Sequence, residues 1–276
     1  MLLIQLSLPP MRNLFVILLA AFLFTGCSEY SKVLKSNDYA YKFEKAKEYY
    51  AEGECTKALP LFEEMLSIYR LTAKGEDVFY YYSQTNYCAQ EFYVAGYYFK
   101  SFVKTYPGSP RAEECAFLGA MCSVMNSPEI ALDQTETTKA IDELQLFLNR
   151  YPNTNKQDTC NAIIKTMRLK LEVKAVESAK LYYQMEQYKA AAFALKNVLV
   201  DYPDIRFKED ILHYIVKSNF KFAENSVEKK KQERYAETIK SYHKFADAFP
   251  ESTELKEAET MYNSAVKELE RLKLKK

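Results

Sequence analysis

"SFVKTYPGSP" at residues 101–110 is echoed by "LFLNRYPNTN" at 146–155, "NVLVDYPDIR" at 197–206 and "KFADAFPEST" at 244–253. Each closes an amphipathic run with an aromatic residue followed by proline. Proline has no amide for a helix interior and pushes its predecessor out of helical geometry, so Pro107, Pro152, Pro203 and Pro250 each predict a helix end. The polar residues beyond predict restarts. Ser109 reads as an N-cap with Pro110 at the first helical position, Thr154 with Gln157 as a capping box, and Asp204 as a further N-cap. The prolines stand 45, 51 and 47 residues apart, a period that implies a repeat array.

The spacing inside each period is similar to that of the tetratricopeptide repeat, although the period itself exceeds the 34 residues of that motif. Counting back from Pro107, Ala95, Phe99 and Phe102 occupy the small, aromatic and apolar slots of a second helix, with Phe79, Tyr82 and Ser83 in the matching slots of a first. Residues 39–72 repeat the frame with Ala46, Tyr49, Ala58, Phe62 and Met65, Arg70 standing where the proline would be. Ala179, Tyr182, Ala191, Leu195 and Val198 repeat it before Pro203. Small residues let paired helices approach and bulky ones at helical spacing fill the gap between them.

The predicted fold is therefore all-α, a tetratricopeptide-like α-solenoid of five helix pairs over about 39–70, 76–107, 110–152, 155–203 and 204–250, with a terminal helix from about Ser252 to Lys273. Two segments depart from the frame: the polar insertion "SPEIALDQTETT" (127–138), a spacer or a contact site, and the charged connector "ENSVEKKKQER" (224–234), after which Thr238 holds a small-residue slot.

Ahead of the repeats, Leu14 to Phe24 is apolar without interruption, follows Met11-Arg12 and ends in Thr25-Gly26-Cys27. That is the layout of an export signal, and its helical length of about 16 Å is too short for a membrane core of about 30 Å. Phe24-Thr25-Gly26-Cys27 resembles the lipobox of bacterial lipoproteins, with Phe24 in a slot where Leu is usual; an ordinary soluble secretory signal is the other reading. The expected organisation is a signal over 1–26, with Met11 as an alternative start, a lipid-anchored tether over 27–38 with acyl chains on Cys27, and a repeat domain over 39–276.

Composition narrows the function. Lys and Arg number 38 against 37 for Asp and Glu, which gives no bulk attraction to nucleic acid. Six glycines leave little material for phosphate-cradling loops. His213 and His243 have no Cys or His at zinc-ligand spacing and no HExxH motif, so they read as structural or surface residues and no metal is expected. No nucleophile elbow is present, and the chain is expected to be neither an enzyme nor a cofactor binder beyond its lipid. Cys55, Cys88, Cys115, Cys122 and Cys160 are odd in number and lack paired spacing, so all five are expected as buried thiols.

The chemistry is carried by aromatics, with Tyr 23, Phe 17 and Trp 0, concentrated in "DVFYYYSQTNYCAQEFYVAGYYFKSF" (77–102). If Phe79, Tyr82 and Asn86 turn inward, Tyr80, Gln84 and Tyr87 turn toward a groove, with Phe43, Lys47 and Tyr50 in the corresponding slots one repeat earlier. Tyrosine suits such a groove because it combines apolar area with a hydroxyl at little entropic cost. The other reading is that these rings serve only to cover neighbouring helices.

"LDQTETTKAIDELQLFLNRYPNTN" from Leu132 and "ESAKLYYQMEQYKAAAFALKNVLVDYPD" from Glu177 resemble the third and fourth repeats of the BamD family, lipoproteins of the outer-membrane β-barrel assembly machinery. The Asp-Gln-Thr insertion and long second helices are similar to Bacteroidetes-type members. The resemblance implies a lipid-anchored scaffold on the periplasmic face of the outer membrane. Its C-terminal repeats would bind the periplasmic domains of a BamA-type barrel protein, and its N-terminal repeats would receive unfolded barrel precursors at the groove from Phe43 to Tyr87. Another periplasmic tetratricopeptide adaptor, for instance one coordinating cell-wall synthesis, is the alternative; no heptad run of the kind such adaptors carry precedes the first repeat.

Overall fold

The computed structural model describes residues 29–70 and 72–274, and every regular element among them is helical. The expected signal and Cys27 lie outside the described residues. A helical stretch over residues 29–35 (α1) precedes α2 (Tyr39–Ala51), α3 (Cys55–Tyr69), α4 (Gly75–Cys88), α5 (Phe92–Thr105), α6 (Ala112–Met125) and α7 (Thr135–Arg150). Then follow α8 (Gln157–Gln184), α9 (Tyr188–Asp201), α10 (Lys208–Glu224), α11 (Glu228–Ala248) and α12 (Leu255–Leu274). The pairs α2/α3, α4/α5, α6/α7, α8/α9 and α10/α11 are the five repeats, with α12 as the terminal helix.

The aromatic-proline stops end the second helix of each later pair. Tyr106, Tyr202 and Phe249 leave helical geometry at φ −123°, −129° and −138°, one residue beyond α5, α9 and α11, as the following proline demands. The restarts differ from the capping expected of them. α6 begins only at Ala112, and α10 at Lys208 behind Phe207, so Asp204 caps nothing. Ser109 and Thr154 instead accept the amides of Arg111 (3.1 Å) and Lys156 (3.2 Å), two residues on. Their hydroxyls donate to Glu76 (2.6 Å) and Glu113 (2.7 Å). Glu76 and Glu113 sit in the first turns of α4 and α6, so each hydroxyl stitches one repeat to the next, leaving a local cap unmade.

Within three pairs the turn between helices is made alike. Gly53 (φ +78°), Gln90 (+62°) and Glu186 (+60°) are left-handed, and the next amide bonds five residues back: Glu54 to Tyr49 (2.8 Å), Glu91 to Asn86 (2.9 Å), Gln187 to Tyr182 (2.8 Å). This is a Schellman turn, and only the first repeat gives it the glycine that adopts such a φ without strain.

The chain divides into two units, one holding the described residues up to Ser127 with Glu136–Cys160, the other Pro128–Thr135 and Asn161 onward. The core of the first is aromatic. Phe62, Phe99 and Phe102 are fully buried with Leu61, Met65 and the small slots Ala46, Ala58 and Ala95. The stretch expected to be a polar tether docks on this core instead. Val33 is buried, the Tyr30 ring meets Tyr49 edge-on at 5.6 Å, and its hydroxyl donates to the Lys57 carbonyl (3.2 Å). A Val and a Tyr one turn apart give α1 an apolar face that the first repeat can cover.

The first unit also corrects the cysteine reading. Cys55 at the start of α3 and Cys88 at the end of α4 form a disulfide with Cα atoms 6.0 Å apart. Consecutive helices α3 and α4 run antiparallel, so the start of one lies beside the end of the other, although 33 residues separate the two cysteines. Cys115, Cys122 and Cys160 are free and buried; burial pushes the Cys115 and Cys122 thiols up to about 12.

The second unit is sealed chiefly by aliphatic side chains: Val176, Ala179, Leu195, Ile205, Ile211 and Val216 surround Phe245 and Ala258. Thr238 fills its small-residue slot fully buried by turning its hydroxyl back to the Arg234 carbonyl (3.1 Å). Tyr182, placed in the frame as a packing residue, is 42% exposed. The insertion before α7 is an ordered loop. Gln134 donates to the Glu129 (2.8 Å) and Leu132 (3.0 Å) carbonyls, while Lys170 and Lys174 of α8 donate to those of Pro128 and Ala131.

Candidate functional site

The aromatic run of α4 meets α2 and α6 along one face of the first unit. Val78, Tyr82 and Ser83 are buried, the Tyr82 ring edge-on to Tyr98 of α5 at 4.7 Å. Tyr81 becomes the hub. It stacks on Phe62 (5.6 Å between ring centres, 7° between planes) and meets Phe43 (6.0 Å), Tyr50 (5.9 Å) and Tyr80 (5.5 Å) edge-on. Such edge and offset contacts exploit the ring quadrupole and fix the orientation of each ring. Charges are set over them. Lys47 lies 5.5 Å from the Phe43 ring centre and 5.9 Å from Tyr81, and Lys74 lies 5.7 Å from Phe43.

A polar cluster continues this face toward α6. Arg111 lies 4.5 Å from the Tyr80 ring centre and pairs with Asp77 at 2.6 Å. Tyr80 donates to Glu114 (3.1 Å), and Gln84 donates both to Glu114 (3.3 Å) and to the Tyr80 hydroxyl (3.0 Å). Burial, then the Glu114 charge, pushes the Tyr80 phenol well above its ordinary range, and the same two causes raise Tyr50. Both hydroxyls therefore remain protonated donors at neutral pH.

Of the six expected groove residues, Phe43, Lys47 and Tyr50 converge on Tyr81, and Tyr80 and Gln84 on Glu114. Tyr87 stands apart, against Phe92 (5.4 Å) and Phe99 (6.2 Å). The expectation that all six point into an open groove is corrected at two positions. Phe43 is 5% exposed and Gln84 7%, because each is covered by the neighbours just named, and they form a floor. Lys47, Tyr50, Tyr80 and Tyr87 are half-buried. Sequence reading missed Tyr81, Asp77, Arg111 and Glu114. Asp77, Tyr81 and Gln84 follow the helical spacing of one face, and that signal was available; the α6 partners lie about one repeat away and leave no local trace.

The face offers aromatic area, cations above it and a carboxylate acceptor, a surface suited to holding a peptide. Helix pairs stacked by small and bulky slots, with such a surface built from successive first helices, define a helical-repeat scaffold of the tetratricopeptide type. The family model described as "YfiO: Outer membrane lipoprotein" matches residues 35–235, and the chain belongs to that family. Among curated relatives, "Putative outer membrane protein assembly factor BamD" of Aquifex aeolicus (strain VF5) is 27% identical over 234 residues, 83% of this chain and 76% of its own. "Outer membrane protein assembly factor BamD" of Caulobacter vibrioides is 29% identical over 98 residues, 36% of this chain and 32% of its own. No helix among the described residues is long and apolar enough to cross a membrane.

Proposed function

We propose that this chain is an outer-membrane protein assembly factor, a scaffold held by a lipid on Cys27 at the periplasmic face of the outer membrane. Its C-terminal repeats engage the periplasmic domains of a BamA-type barrel protein, and its N-terminal repeats receive unfolded β-barrel precursors. The observation that carries the peptide-binding half is the face built by Tyr50, Tyr80, Tyr81 and Lys47 with Arg111 beside it: aromatic area suits the aromatic end of a barrel strand, and the cations suit a chain-terminal carboxylate. Family membership over 35–235 supports the assembly role. Docked α1 leaves only the residues just after Cys27 as a link to the membrane, so the first repeats would work close to the lipid surface.

Fluorescence anisotropy with a labelled β-barrel C-terminal peptide tests the face. Tyr50→Ala with Tyr80→Ala, in a chain whose helical signal is unchanged, is expected to weaken binding about tenfold or more, as loss of two aromatic anchors does. Unchanged affinity removes the groove assignment. Affinity purification after gentle solubilisation tests the scaffold role. Recovery of a barrel protein with periplasmic domains is the expected result, and cell-wall enzymes in its place would favour the other adaptor reading.

A further inference from the structure

In the second unit, His213 of α10 is 3% exposed and lies between Phe245, whose ring runs nearly parallel at 5.6 Å, and the start of α12. Its Nε2 is buried and makes no hydrogen bond, although Glu257 Oε2 stands only 3.1 Å away and Glu254 Oε2 is 3.8 Å from Nδ1. A carboxylate at bonding distance but off the hydrogen-bond direction leaves the nitrogen unserved, and a buried imidazole nitrogen without a partner is costly. Two donors sharing one tetrahedral ion at about 2.0–2.1 Å would stand about 3.3 Å apart, close to the 3.1 Å between Nε2 and Glu257. One imidazole nitrogen and one oxygen of each carboxylate all lie within 4.8 Å of one another. The group borders a cleft of about 460 Å³ lined also by Asp210, Lys217 and Thr253, which gives an ion a route in. Lys217 pairs with Glu257 at Oε1 (3.1 Å) and donates also to Oε2 at 3.5 Å, and Asp210 is committed to Lys180 at 2.6 Å. The carboxylates of Glu254 and Glu257 are half-exposed and face the imidazole.

We propose that His213, Glu254 and Glu257 bind one divalent transition-metal ion of the zinc type, an ion that accepts mixed imidazole and carboxylate donors. The ion ties the first turn of α12 to the middle of α10 and so fastens the terminal helix. Sequence spacing hides the site because His213 and the two glutamates are about one repeat apart.

Titration of the EDTA-dialysed full chain in detergent with Zn²⁺, followed by calorimetry, and with Co²⁺, followed by visible absorption, tests this. One equivalent is expected to bind with micromolar or tighter affinity, with ligand-field bands for Co²⁺ and a higher melting temperature with Zn²⁺. Glu254→Gln with Glu257→Gln changes only half-exposed carboxylates, so the fold is retained, and affinity is expected to fall about tenfold or more. His213→Gln is expected to abolish the Co²⁺ bands. Absence of stoichiometric binding, or binding that the glutamine pair leaves unchanged, overturns the proposal.

Discussion

The two units use one repeat frame and seal it with different chemistry. In the first, Phe62, Phe99 and Phe102 fill the gaps between helices, Tyr81 ties α2 to α4, and a disulfide crosses from α3 to α4. In the second, the same slots of α9 hold Leu195 and Val198, and Ile211 and Val216 of α10 pack in the same aliphatic cluster around Phe245, while large apolar side chains such as Phe193 (67% exposed) and Val200 (74%) remain outside. The frame requires small residues at close approaches and bulk between them, and it is indifferent to the kind of bulk. Rings carry direction and a hydroxyl, so the aromatic unit gains a patterned polar surface as a by-product of its packing.

The strongest way to break this comparison is to remove a ring from the aromatic core. Phe62 is fully buried and touches Phe43 and Tyr81, so Phe62→Ala is expected to cost about 3–5 kcal/mol and to release Tyr81 from its stack. A shift of the denaturation midpoint with loss of near-ultraviolet tyrosine dichroism would record both. A loss no larger than an exposed substitution causes would show that the ring network is ornament on a fold held elsewhere.

The next effect is the crosslink, which the second unit lacks among its described residues. Closing a loop of 33 residues constrains the unfolded chain by about 3–4 kcal/mol in the chain-entropy model. Cys55→Ser with Cys88→Ser is expected to lower stability by most of that. Native alkylation followed by mass spectrometry should leave Cys115 and Cys122 unlabelled in the parent at neutral pH, since burial holds both thiols protonated and the thiolate is the reactive form. Rapid native labelling of either, or an unchanged midpoint in the double serine variant, would count against the first unit's closed core.

What was legible in the sequence follows from the range of each interaction. The helix pairs were readable because Tyr-Pro and Phe-Pro act on their immediate neighbours and the small-bulky slots recur at helical spacing. The caps were misread for the opposite reason: Ser109 and Thr154 found carboxylates in the preceding repeat, Glu76 and Glu113. The disulfide and the Arg111–Asp77 pair likewise join positions about one repeat apart. On the candidate face, the choice of α4 was legible from its tyrosines, but which ring would be hub and which floor depended on α2 and α3 packing against it. Tyr182, assigned to packing by its slot, is 42% exposed, whereas Tyr82 in the same slot is buried against Tyr98.

The smallest expected effect sharpens the other side of the comparison. Phe193 borders a cleft of about 570 Å³ with Tyr188, Phe222 and Asn225, yet two-thirds of its surface faces solvent, and the fully buried Leu195 two residues on carries the packing of α9. Phe193→Ser is therefore expected to change stability by no more than about 0.5 kcal/mol, measured by urea denaturation beside Leu195→Ala, for which about 2–5 kcal/mol is expected. A loss for Phe193→Ser approaching that of Leu195→Ala would place the ring in the second unit's core, and the contrast between an aromatic and an aliphatic unit would fail. With the small value, the apolar surface of α9 is free of any duty to the fold, whereas Tyr81 of α4, stacked on Phe62, serves packing and surface at once and cannot be changed for one without disturbing the other.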